Sequence, residues 1–117
     1  MIRLLALAAL VAAPVATASA SAPAPARLGV SAKEFRFSLS RTTVRSGPIL
    51  IELDNFGEDV HDLRLRRVGA TRTYTIPETA SGSRAELDTK LRPGVYHLWC
   101  SVADHRLRGM RATLRVR

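Results

Sequence analysis

The chain's chemistry is concentrated in very few residues. Cys100 is its one cysteine, and Met110 is its one methionine besides Met1. His105 lies midway between them, so the three follow a C-x4-H-x4-M spacing. A thiolate, an imidazole and a thioether in one short loop form a soft donor set, which suits copper far better than magnesium, calcium or manganese. A trigonal copper site needs a second imidazole. His61 is the candidate. It shares a strand face with Leu63 and Leu65, as Cys100 does with Tyr96 and Leu98, and Met110 with Ala112, Leu114 and Val116. His97 is out of phase with Tyr96, Leu98 and Cys100 and is read as an outward residue. Taken singly, these residues have plain structural explanations: a buried apolar thiol, a core methionine, surface or edge histidines. Together they place four of the five Cys, His and non-initiator Met side chains at ligand positions.

The elements that must position them read as strands. Apolar residues alternate at Leu28, Val30 and Ala32, at Phe35, Phe37 and Leu39, and at Ile49, Ile51 and Leu53. Asp62, Arg64 and Arg66 oppose His61, Leu63 and Leu65. Thr71 to Ile76 is rich in β-formers and is expected to end at Pro77, and Ala85 and Leu87 form a short piece. Ser46-Gly47-Pro48 and Arg92-Pro93-Gly94 are turn signals. No helical period emerges beyond the N-terminal region. Short half-buried strands between such turns indicate an all-β, antiparallel sandwich or barrel in a single domain. His61 opens a strand, Cys100 closes one and Met110 starts the next. Antiparallel neighbours would therefore bring all three to one end.

The chain has 117 residues, enough for one domain. Arg3, the apolar run Leu4 to Val11 and small residues through Ala22 read as a secretory signal, with Ala18-Ser19-Ala20 as the cleavage site. The division is 1–20 signal peptide, 21–26 Ala/Pro linker and 27–117 domain. The apolar run is short for a membrane span, so contact with a membrane would come only through an uncleaved N-terminal segment. Export is expected, to the periplasm or to the extracellular, cell-wall side. A lone Cys permits no internal disulfide, and in an oxidising compartment it is a liability unless its thiolate is occupied. The formal net charge of +8 comes almost entirely from arginine. No nucleic-acid motif accompanies it, and most arginines read as a solvated face.

These segments resemble the cupredoxin family, the type 1 copper fold of plastocyanin, azurin and rusticyanin. Glu34-Phe35-Arg36-Phe37 through Gly47 is similar to its opening strands. Asn55 through Leu63 is similar to its first-histidine segment, and Leu91 to Tyr96 leading to Cys100, His105, Gly109 and Met110 to its closing ligand loop. The resemblance implies a Greek-key β-sandwich and one copper, cycling between Cu(I) and Cu(II), held by His61, Cys100, His105 and Met110. It implies single-electron transfer between redox partners rather than catalysis. A monomer is expected, and Arg106, Arg108 and Arg111 are expected to form a basic rim for an acidic partner. A copper-binding or delivery module is the alternative.

The chain departs from the family pattern at two places. Ala103-Asp104 stands where many relatives carry Pro-Gly, and Asp62 where many carry Asn. Asp62 is expected to bind the Ser101 hydroxyl while its N–H helps hold the Cys100 sulfur. Other chemistries fit less well. A binuclear copper loop needs two cysteines, structural zinc takes four Cys/His ligands, and haem attachment needs C-x-x-C-H. Hydrolase nucleophile motifs are absent. A thiol hydrolase fits poorly with a Met in the loop.

Overall fold

The structure, a computed structural model, describes residues 8–117. Arg3 and the opening of the apolar run lie outside the described residues. Residues 8–25 form neither helix nor strand and lie exposed.

From Ala26 onward the chain alternates strand and turn, and the described residues contain no helix. The strands are β1 (Ala26–Lys33), β2 (Arg36–Leu39), β3 (Thr43–Val44), β4 (Gly47–Asn55), β5 (His61–Arg67), β6 (Thr73–Thr79), β7 (Arg84–Leu91), β8 (Gly94–Trp99) and β9 (Arg111–Val116). They form two mixed sheets, in the orders β2-β1-β4-β7 and β3-β9-β8-β5-β6. The β1/β4 and β3/β9 pairs are parallel, and the others are antiparallel. The sheets face each other as a sandwich and do not close into a barrel.

The period-two reading accounts for the core. Leu28, Val30, Ile49, Ile51, Leu53, Leu63, Leu65, Ile76, Leu98 and Leu114 are fully buried between the sheets. Each comes from an alternating strand, so every strand contributes its inward set to one shared layer. Two local expectations change. β6 runs through Pro77 to Thr79 rather than ending there. It is an edge strand, where a missing N–H leaves no ladder bond unmade. Asp62 is not exposed beside Arg64 and Arg66 but 97% covered, having 3% exposure. Its carboxylate is capped by Ser101 and Arg64, and the pairing of β5 with β6 shifts register between His61 and Leu63.

Candidate metal centre

Three segments meet at one end of the sandwich. Residues 56–60 connect β4 to β5 and deliver His61. Residues 100–110 connect β8 to β9 and supply Cys100, His105 and Met110. The turn after β1 supplies Glu34 and Phe35.

The first segment is knotted by Asn55. Its side-chain N–H2 donates to the carbonyls of Asp59 (2.8 Å) and Thr79 (2.9 Å), and its Oδ1 accepts from the N–H of Gly57 (2.9 Å). Glu34 closes the same loop from the turn after β1, the strand beside β4. Its Oε1 accepts the N–H groups of Glu58 (2.8 Å) and Asp59 (2.6 Å). It also lies 3.1 Å from Nε2 of His61. The Asp59 N–H above all holds the Glu34 carboxyl down to about 2. Glu34 is therefore an anion that fixes the His61 proton on Nε2, leaving the Nδ1 lone pair free. A side chain at position 57 would collide with this carboxylate, so only glycine permits the approach.

The second segment is a run of turns without the Pro-Gly of many relatives. Ala103 takes a left-handed backbone (φ 42°). The His105 N–H donates to the carbonyl of Val102 (3.1 Å), and the Arg108 N–H to that of Asp104 (3.1 Å). At the loop's base the Cys100 N–H donates to the Met110 carbonyl (3.1 Å), and the Met110 N–H to the His105 carbonyl (3.0 Å). The three residues are thus tied together through their own backbone. Gly109 completes the turn at φ 117°, where an added Cβ would press on the Phe35 carbonyl.

His61, Cys100 and His105 converge, all buried. Nδ1 of His61 lies 3.2 Å from Nδ1 of His105. Sγ of Cys100 lies 4.0 Å from the first nitrogen and 3.7 Å from the second. Donors that each sit about 2.0–2.3 Å from a shared ion have separations of this size. Both Nε2 atoms face carboxylates, Glu34 for His61 and Asp59 (3.4 Å) for His105. Both rings can therefore turn an unprotonated Nδ1 to the same point, where a soft cation fits the donor set. Burial raises the Cys100 thiol, while backbone N–H groups of Asp62 and Val102 pull it the other way by hydrogen bonding to the sulfur. A metal binding there would displace the thiol proton. Met110 is fully buried beside this cluster in the chain.

The expected Asp62–Ser101 link is present. The carboxylate accepts the Ser101 N–H (2.6 Å) and the Ser101 hydroxyl. His105 is not a surface histidine: its side chain is 7% exposed. The Phe35 ring lies 5.0 Å from it, covered in turn by the Arg108 guanidinium at 4.7 Å. His97 is exposed, away from the site, as its parity indicated. The residues that sequence reasoning missed are Glu34 and Asn55. Glu34 has no motif spacing to His61, because that contact arises from the parallel β1/β4 pairing, and Asn55 acts within its own loop and on Thr79.

No protein-family model and no curated protein matches the sequence. Solved structures do match. A dithionite-reduced auracyanin from Roseiflexus castenholzii is 13% identical, with TM-score 0.67 over 81% of this chain and 99% of that one. Auracyanin A, a "blue" copper protein from Chloroflexus aurantiacus, is 14% identical, with TM-score 0.64 over 80% and 100%. The fold is the cupredoxin fold. A multicopper oxidase matches too, at 14% identity and TM-score 0.62, over 82% of this chain but 45% of that one. The cupredoxin sandwich thus occurs both as a separate small chain and as part of a larger oxidase.

Proposed function

We propose that the chain is an exported mononuclear type 1 copper protein that shuttles single electrons between redox partners. The observation that carries this is the convergence of two Nδ1 atoms and one thiol within 4.0 Å of each other. His61, Cys100 and His105 would hold the copper, with Met110 as a weaker fourth donor. Bound copper supplies a one-electron couple between Cu(I) and Cu(II). The chain's part is to hold one donor geometry that suits both oxidation states. Glu34 fixes the His61 ring, and the loop's backbone bonds fix Cys100 relative to Met110. Side chains held from several sides have little to reorganise when an electron arrives or leaves. A single-cysteine loop offers donors for one copper, which suits a one-electron carrier. Export rests on the N-terminal segment, and the copper protein named among the matching structures supports the metal assignment.

The test is to add Cu(II) to the purified chain and record its visible and EPR spectra. An intense visible band with one copper per chain is expected, and Cys100→Ser should abolish it. Weak, exchangeable Cu(I) binding with no band would replace the carrier by a delivery module. No copper uptake would remove both.

A further inference from the structure

The outward positions of β5, β8 and β9 carry arginines without acids, whereas Arg27 and Arg84 of the other sheet are paired with Glu52 and Asp54. On β5, the outward positions are Arg64 and Arg66. On β8 they are Val95, His97 and Trp99. On β9 they are Arg111, Thr113 and Arg115. None of these is a carboxylate. Asp62, the one acid on these three strands, is buried against Ser101. The acids Glu52, Asp54, Glu86 and Asp88 lie instead on the outward positions of β4 and β7, in the other sheet.

Trp99 is the centre of the basic face. The Arg106 guanidinium lies 4.8 Å from its ring and that of Arg66 5.8 Å. Two adjoining depressions of about 420 and 450 Å³ share His97 and Arg106 as lining. The ligand-loop end is different. Arg108 there is paired with Asp104 at 2.9 Å, and Glu34, Glu58 and Asp59 gather beside it. Of the three arginines expected to form a rim, Arg106 and Arg111 line the depressions on the sheet face, and Arg108 is neutralised at the loop.

Resting on the electron-carrier reading, we propose that the Trp99-centred face of β5, β8 and β9 docks an acidic surface of the redox partner. Guanidinium forks held against an indole are pre-organised for bidentate binding of carboxylates. The indole ring is already occupied by guanidinium groups, which disfavours base stacking. Of the exposed large apolar residues among the described ones, Val68 alone lines these depressions, too little apolar surface for membrane insertion. The face adjoins the metal centre through the peptide bond from Trp99 to Cys100.

Trp99 is the chain's single tryptophan, so its fluorescence reports on this face alone. The experiment titrates the Cu(I) protein with hexaglutamate. Saturable change weakening with salt is expected. The Arg66→Glu/Arg106→Glu double variant should bind about tenfold more weakly or worse. The Arg41→Glu/Arg45→Glu variant, with the same change in net charge, should differ by less than about twofold. Equal losses in both variants would overturn the proposal. So would tighter binding of a DNA duplex or of phosphatidylglycerol vesicles through the same face. The visible band is recorded alongside. A normal band with no hexaglutamate response sinks the docking face alone. A missing band sinks the carrier reading, on which the proposed partner depends.

Discussion

At the residue scale, two carboxylates press on the candidate metal centre. Glu34 accepts the Nε2 proton of His61. Asp62 sits on the strand beside it and holds Ser101, the neighbour of Cys100. Negative charge this close favours the more positive oxidation state of a bound ion, so each should lower the reduction potential. Glu34→Gln and Asp62→Asn are therefore expected to raise it, as read by redox titration of the visible band. Glu34→Ala removes the acceptor altogether and should weaken copper binding about 10–100-fold. A two-dimensional NMR spectrum of the imidazole nitrogens would show whether His61 then loses its fixed tautomer. Unchanged affinity and tautomer would mean that Glu34 only ties down the loop.

At the element scale, Tyr96 anchors β8. It is 1% exposed, and its hydroxyl donates to the Arg92 carbonyl at 2.9 Å across the turn that opens the strand. Burial raises its ionisation above the ordinary value of about 10. The unfolded chain ionises first as pH rises, so the unfolded state gains proton-release free energy that the folded state does not. Stability from this group is fully present below about pH 10 and is lost as pH climbs above that. Tyr96→Phe removes the hydrogen bond, worth about 0.5–1.5 kcal/mol at neutral pH, but also removes this alkaline loss. Denaturant midpoints at pH 8 and pH 11 should show the variant less stable at the first and closer to the parent at the second.

At the scale of the whole molecule, the centre is a clasp. His61 follows the β4–β5 connection, while Cys100, His105 and Met110 belong to the β8–β9 connection. One ion held by both segments would bind the folded chain and not the unfolded one, and so would stabilise it. With free copper at about a thousand times its dissociation constant, the gain should be about 4 kcal/mol. Thermal unfolding with and without Cu(I) measures it, and Cys100→Ser should lose most of the gain. The same end of the sandwich gathers acids, while the outer face of β5, β8 and β9 gathers arginines. The positive excess of the chain is therefore directional rather than evenly spread.

Much of this was legible in the linear chain. Alternation at Leu28 to Ala32, Ile49 to Leu53 and Tyr96 to Cys100 determined which side chains enter the core, because a strand's faces repeat every second residue. The C-x4-H-x4-M spacing determined that three donors share one loop, since so few residues cannot separate them far. Parity alone also put His61 on the inward face. Tertiary structure decided the rest. Glu34 meets His61 only because β1 lies parallel to β4 and carries the carboxylate to the far end of that strand. Asp62 is buried by Ser101, which arrives from a different hairpin. Arg106 and Arg66 become neighbours only across Trp99. Period and spacing are local properties of a chain. Which strand lies beside which is settled by burying all the inward faces at once, and these contacts follow from that packing.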